Sequence, residues 1–194
     1  MQRKIILEGK YVRLEEISPK YFEKVIEWRN NPELNKFLNQ PFKLTMELEK
    51  QWYEEKYLTD MTQGLLIMVD KKNNLPFGTI GWTDYDFAEK ICIAGRALVG
   101  EDSYRGSKEM TEAYLIFQDY MYKKMQVKTA YIHVVDENTK VISLNKRWGY
   151  ILNKGEIRFP KELLVNGMKQ TEYLRTSGQY EKAREKIIKI LESL

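Results

Sequence analysis

The chain has 194 residues, one domain's length, of which 43 % are hydrophobic and 31 % charged. That balance supports a packed core and excludes a wholly disordered chain. The formal charge of +4 suits an anionic ligand but excludes the charge density of a dedicated nucleic-acid binder.

A single cysteine excludes an intrachain disulfide. Cys92 lies in the apolar run Ile91-Cys92-Ile93-Ala94 and reads as a buried strand residue rather than a reactive thiol. The apolar run at the N-terminus is too short for a signal peptide, and no stretch approaches a membrane span. The expectation is a cytoplasmic protein with no membrane or nucleic-acid partner, folded as one domain over 1–194 with a C-terminal helical extension from 176.

In chain order, Lys10 to Glu15 alternates and predicts a strand. Ser18-Pro19 predicts a helix start, with Ser18 as N-cap and Phe22, Val25, Ile26 and Trp28 as the apolar stripe. Asn30-Asn31-Pro32 breaks that helix and starts a short one. Thr45 caps a third, running to about Tyr57. Gly64 to Asp70, Phe77 to Tyr85 and Lys90 to Val99 predict three strands, the first two joined by a turn at Lys72-Asn73-Asn74.

Ser107 to Lys124 is helical, and its stripe of Met110, Ala113, Tyr114, Phe117 and Met121 is explained by core packing. Thr129 to Val135 is a strand and Thr139 to Lys146 a short helix. Tyr150 to Ile157 and Gln170 to Thr176 predict the last two strands, joined by a loop with Pro160 and a turn at Asn166-Gly167. Glu181 to Leu194 is a charged amphipathic helix. The fold class is α/β (α+β), a mostly antiparallel central sheet flanked by helices.

Two stretches carry chemistry. Tyr104-Arg105-Gly106-Ser107-Lys108-Glu109-Met110 opens a long helix. The first turn of a helix has unpaired N–H groups and partial positive charge, which suits a pyrophosphate. Arg105 and Lys108 add charge, and Gly106 permits a tight turn; an ordinary turn with solvated basic residues is the alternative. Neither a Walker loop nor a dinucleotide fingerprint is present. The second stretch runs from Asp136-Glu137-Asn138, at the end of a strand, through Ser143 to Arg147-Trp148-Gly149-Tyr150.

With these two stretches the chain closely resembles the GNAT acetyltransferase superfamily over residues 8 to 176. Glu27-Trp28-Arg29-Asn30-Asn31-Pro32-Glu33 resembles an element of its ribosomal-protein and amino-sugar acetyltransferase branches. The resemblance implies splayed strands forming a cofactor cleft, acetyl-CoA as co-substrate, no metal, and direct attack of an amine on the thioester. It also implies that Ala97-Leu98-Val99-Gly100 offers backbone N–H groups to the cofactor arm, with Leu98 and Val99 central. Arg105, Gly106, Ser107, Lys108, Glu109 and Met110 would hold the pyrophosphate. Lys108 and Met110 stand where glycines are usual. Asn138 would contact the cofactor arm, with Ser143 on the following helix, and Asn138 equally suits a helix N-cap.

Where relatives often place a tyrosine acid, this chain has Asn145, which cannot give up a proton. Asp84 and Asp86 are candidate bases or solvated turn carboxylates, with Asp84 the one assigned to catalysis. His133, the single histidine, falls within a strand and reads as structural. Trp28, Arg29 and Asn30 would approach the acceptor, with core packing as the other reading of Trp28. The acceptor is expected to be a small-molecule amine or amino sugar. A peptide N-terminus or a non-catalytic CoA-binding role are alternatives, and a homodimer is open.

Overall fold

The computed structural model describes residues 4–160, 164–165 and 167–194. Strands β1 (Ile6–Glu8) and β2 (Val12–Glu16) precede a 3-10 turn (Pro19–Tyr21) leading into α1 (Phe22–Asn30). Helices α2 (Pro32–Asn35) and α3 (Met46–Trp52) follow, α3 continuing as a wide turn over Tyr53–Tyr57. Then come β3 (Gly64–Asp70), β4 (Leu75–Asp86), β5 (Ile91–Val99) and α4 (Lys108–Asp119), which extends in wider turns over Tyr120–Lys124. The chain ends with β6 (Thr129–Val135), α5 (Thr139–Arg147), β7 (Ile151–Leu152), β8 (Leu164–Val165), β9 (Met168–Thr176) and α6 (Ser177–Ser193).

The sheet order is β1-β2-β3-β4-β5-β6-β9-β7, with β8 paired to β9. Among the described residues every pairing is antiparallel except β5 with β6. Strand β3 shows why the sheet has helices on both faces. Side chains alternate along a strand, so Leu66 and Met68 join one core with Ala113, Phe117 and Met121 of α4 and Tyr180 and Ile187 of α6. Leu65, Ile67 and Val69 join another core with Phe22, Val25 and Trp28 of α1 and with Tyr53 and Tyr57. A strand buried on both sides must be largely apolar, as this one is from Leu65 to Val69 before it ends at Asp70. Helix α6 is clamped to α4 through Asp119, which accepts from Tyr180 Oη (2.7 Å) and from Arg184 Nε and Nη2 (2.8 and 2.9 Å).

The parallel pair creates the site. β5 and β6 are registered only at Ile91–Thr129, Cys92–Ala130 and Ile93–Tyr131. Beyond that point the strands part, while β5 continues against β4 to Val99. The register of β4 on β5 also shifts between Thr79 and Gly81, where two β5 residues, Arg96 and Ala97, oppose one of β4. Arg96 takes φ +51° at this bulge. Such a bulge re-aims side chains and bends the strand away from its neighbour.

Several expected elements differ in extent. Ser18 makes no side-chain cap, and the first helix begins as a 3-10 turn. Thr45 does cap α3, accepting from the Leu48 N–H. The strand expected over Tyr150 to Ile157 is only Ile151–Leu152. Asn153 ends it: its Oδ1 accepts from the Gly155 N–H, and its Nδ2 donates to the Glu156 carbonyl and to Glu172. A side chain that satisfies nearby backbone in this way competes with the ladder. Of the expected Asn166-Gly167 turn, Asn166 lies outside the described residues. Cys92 is fully buried, and burial pushes its thiol up to about 12, so it is inert at neutral pH.

Candidate active site

The turn before α4 is built from local contacts. Glu101 ends β5's continuation, and its carboxylate accepts from the buried Trp28 indole N–H at 3.0 Å. A Cβ on Gly100 would come within 2.2 Å of the Trp28 ring, so only glycine fits there. Gly106 takes φ +73°, and Ser107 caps the helix by accepting from the Met110 N–H. Lys108 and Glu109, the first two helical residues, carry N–H groups without intrahelical partners. The basic side chains are engaged elsewhere: Arg105 Nε donates to Asp102 at 2.7 Å, and the Lys108 ammonium lies 4.6 Å over the Tyr11 ring. The freed edge of β5 past the fork and this helix mouth together fit an extended phosphorylated thioester, by backbone more than by side-chain charge.

On the α1–α3 face of the sheet lies a cavity of about 490 Å³. Its apolar wall includes Leu38, Phe42, Leu44, Leu48, Trp52 and Leu98. Its polar groups include Arg29, Glu49, Thr79 and Arg96. Glu49 is 1 % exposed, and its Oε1 has no hydrogen-bond partner among the described residues. Burial raises its carboxyl above the ordinary range, against the opposing pull of Arg29 and Arg96. Burial likewise lowers both guanidinium groups from their usual range. Arg96 donates through Nη2 to Gln63 at 2.5 Å and lies 5.6 Å over the Trp52 ring, yet its Nη1 is buried without a partner among the described residues. Buried polar atoms left without partners are costly, and the convergence of Arg29, Glu49 and Arg96 on one cavity makes it the candidate acceptor site.

A second cavity, about 260 Å³, adjoins the fork and is lined by Thr83, Ile93, Ala94, Gly95, Arg96, His133 and Gln170. Arg96 borders both cavities. A side chain added at Gly95 would meet nothing within 4 Å, so the missing Cβ contributes directly to the open space. His133 Nε2 lies 2.9 Å from Glu172 Oε2, and both side chains are almost wholly buried.

The expected site residues divide. Leu98 walls the large cavity and Val99 pairs with Gly78 at the end of β5. Of the Trp28-Arg29-Asn30 element, only Arg29 lines the cavity. Trp28, expected at the acceptor, is 2 % exposed and instead ties α1 to the turn before α4. Asn30 holds the cavity wall by exchanging two 2.8 Å hydrogen bonds with the Leu44 backbone.

Asn138 caps α5, its Oδ1 accepting from the Val141 N–H at 3.4 Å, while Ser143 is exposed. Asn145 is 6 % exposed and donates through Nδ2 to the Val141 carbonyl, so its amide is occupied within its own helix. Asp84 is exposed at φ +52° and lines neither cavity; Asp86 accepts from the Ala88 and Glu89 N–H groups of its own turn. Glu49, Arg96 and Glu172 were not singled out in the sequence. Glu49 reads there as one more acid of a charged helix, and nothing local marks Arg96 as a bulge residue.

The fold is shared by solved acetyltransferases. A GCN5-related N-acetyltransferase from Brucella melitensis superposes with a TM-score of 0.78 at 17 % identity, covering 98 % of this chain and 86 % of that one. A spermidine N-acetyltransferase from Vibrio cholerae in complex with CoA and spermine gives 0.75 at 13 % identity, covering 89 % and 99 %. FdhC, described as a nucleotide-linked sugar GNAT, gives 0.75 at 15 % identity, covering 97 % and 99 %. No curated protein matches by sequence. The family model for the acetyltransferase (GNAT) domain matches residues 12–151, a span holding both cavity walls on β4 and β5, the fork and the α4 turn. The chain therefore belongs to the GNAT family of acetyltransferases.

Proposed function

We propose that this enzyme transfers the acetyl group of acetyl-CoA to a primary amine of a small molecule, by direct attack of the amine on the thioester. The observation that carries this reading is the 490 Å³ cavity bordered by Leu98 and Arg96 of β5, the strand whose edge is freed at the fork. Its volume is that of a small-molecule site, and its largely apolar wall with a few polar groups suits a compact acceptor. An acceptor here would meet the thioester where β5 diverges from β6. Holding the two reactants in contact supplies much of the rate enhancement. Glu49 Oε1 is free to accept a hydrogen bond from the acceptor, and Arg29 and Arg96 to receive an oxygen-rich group on it.

The test measures thiol release from acetyl-CoA with a panel of polyamines, amino sugars, amino acids and short peptides. Turnover of a small amine is the expected result. Turnover confined to peptide N-termini would replace this reading with protein acetylation. Binding of acetyl-CoA without turnover of any amine would replace it with a CoA-binding role.

A further inference from the structure

We infer that His133, held by Glu172, is the base that removes the proton from the acceptor amine. The inference rests on the acetyl-transfer reading above, and it assigns a residue that the family motifs do not mark. Three independent observations lead to it.

The first is placement. The last registered pair of the parallel ladder is Ile93–Tyr131, so the next residues on the same face are Gly95 and His133, one on each arm of the fork. Both line the 260 Å³ cavity, and Gly95 contributes no side chain to fill it. Arg96 lines both that cavity and the acceptor cavity.

The second is the carboxylate behind the ring. Glu172 is 3 % exposed and collects four donors: His133, Asn153 Nδ2 (2.6 Å), and the backbone N–H groups of Arg158 and Phe159 (3.0 and 3.1 Å). Burial alone would raise its carboxyl, but these donors outweigh it and hold Glu172 below the ordinary range, so it is ionised. The loop after β7 is folded around this one group, which fixes the carboxylate in place.

The third is the free nitrogen. A carboxylate can only accept, so in the neutral imidazole Nε2 carries the hydrogen and Nδ1 carries the lone pair. Nδ1 is buried and has no partner among the described residues. A structural histidine commonly satisfies both nitrogens; this one has one nitrogen anchored and the other bare. The charged group that shares its cavity is Arg96 from β5, while the guanidinium of Arg158 is turned to Glu89.

The step is balanced. An ammonium acceptor gives a proton to Nδ1, and its nitrogen lone pair attacks the thioester carbonyl. The C–N bond forms, the C–S bond breaks, the second proton passes from the acylated nitrogen to the departing thiolate, directly or through water, and the imidazolium returns the first proton to solvent. Asn145 is not required, because a thiolate leaves without a strong acid.

The single histidine makes the test direct. Long-range 15N–1H spectra of the wild-type protein show one imidazole, and the Nε2–H tautomer is expected; a neutral Nδ1–H tautomer overturns the inference without any assay. In kinetics, His133→Gln should keep the acetyl-CoA-dependent rise in Tm and lower kcat/KM for an alkylamine by about 10²–10⁴-fold. The loss should shrink strongly for a weakly basic arylamine, which is already neutral and needs no base. Undiminished alkylamine turnover by a folded His133→Gln protein overturns the inference alone. Failure of the wild type on every amine overturns the acetyl-transfer reading and this inference with it.

Discussion

Two arginines withdrawn from water are treated in opposite ways. Arg175, on β9, is 0 % exposed. It donates to the Trp148 carbonyl at 2.7 Å, to Tyr122 Oη at 3.2 Å and to Gln118, and its guanidinium lies within 5.1 Å of the ring centroids of Tyr122, Tyr150 and Tyr180. It joins α4, the end of α5 and α6 to the sheet. Among the described residues, the Arg96 side chain donates to Gln63, lies over the Trp52 ring and keeps a buried Nη1 with nothing to bond. The contrast separates structural from functional burial. A cation enclosed by donor-matched oxygens and π faces holds a fold together. A cation and a carboxylate, Glu49, that line one cavity and each keep a buried atom without a bond suit the acceptor site proposed above.

The largest effect is expected at the structural arginine. Arg175→Met should cost about 3 kcal/mol or more, because the Trp148 carbonyl and the Gln118 side chain lose their donor together. Chemical denaturation measures this. If Arg175→Met is neutral while Arg96→Met is the one that unfolds the protein, the comparison is reversed.

Glu49→Gln should do the opposite, impairing turnover while sparing stability. Its carboxyl is raised in the folded state, so the fold is favoured when Glu49 is protonated and loses that contribution as pH rises through its folded pKa. The glutamine variant should therefore gain over wild type at neutral pH, and the gain should vanish below the ordinary glutamate range. Melting curves at acid and neutral pH test the sign. Acceptor KM should rise at least about tenfold, the value of one charge-assisted hydrogen bond.

Trp28→Phe keeps an aromatic under Gly100 but removes the donor to Glu101. A stability loss of about 1–2 kcal/mol is expected, with weaker acetyl-CoA binding as the turn before α4 loosens. A change in acceptor KM with unaltered acetyl-CoA affinity would instead put Trp28 in the acceptor site.

The smallest effect is at the exposed pair before α4. Asp102→Asn releases Arg105, and acetyl-CoA affinity should tighten by about twofold at low salt and not at high salt. Isothermal titration at two ionic strengths reads it. Weaker binding would mean that Asp102 positions Arg105 rather than competing for it.

The sequence by itself determined most of the elements and the local form of the turn before α4. Alternation, helical stripes and caps are local, and so is the turn at Gly106 and Ser107, where the positive φ and the cap act within three residues, whereas Gly100 and Glu101 answer to the distant Trp28. The buried Cys92 and the continuous apolar run of β3 follow from the same short-range pattern. The acceptor end was decided by tertiary structure, because its groups come from distant positions. Arg29, Glu49 and Arg96 converge only when α1, α3 and β5 pack on one face of the sheet, and the Arg96 bulge exists only in the register with β4. His133 alternates like any strand residue; Glu172 opposite it in the β6–β9 register, and the fork that leaves Gly95 open before it, turn it from a core residue into a positioned base. The Trp28-Arg29-Asn30 element shows the limit in three adjacent residues. Helical geometry sends each in a different direction, so Trp28 supports the cofactor turn, Arg29 enters the cavity and Asn30 braces its wall.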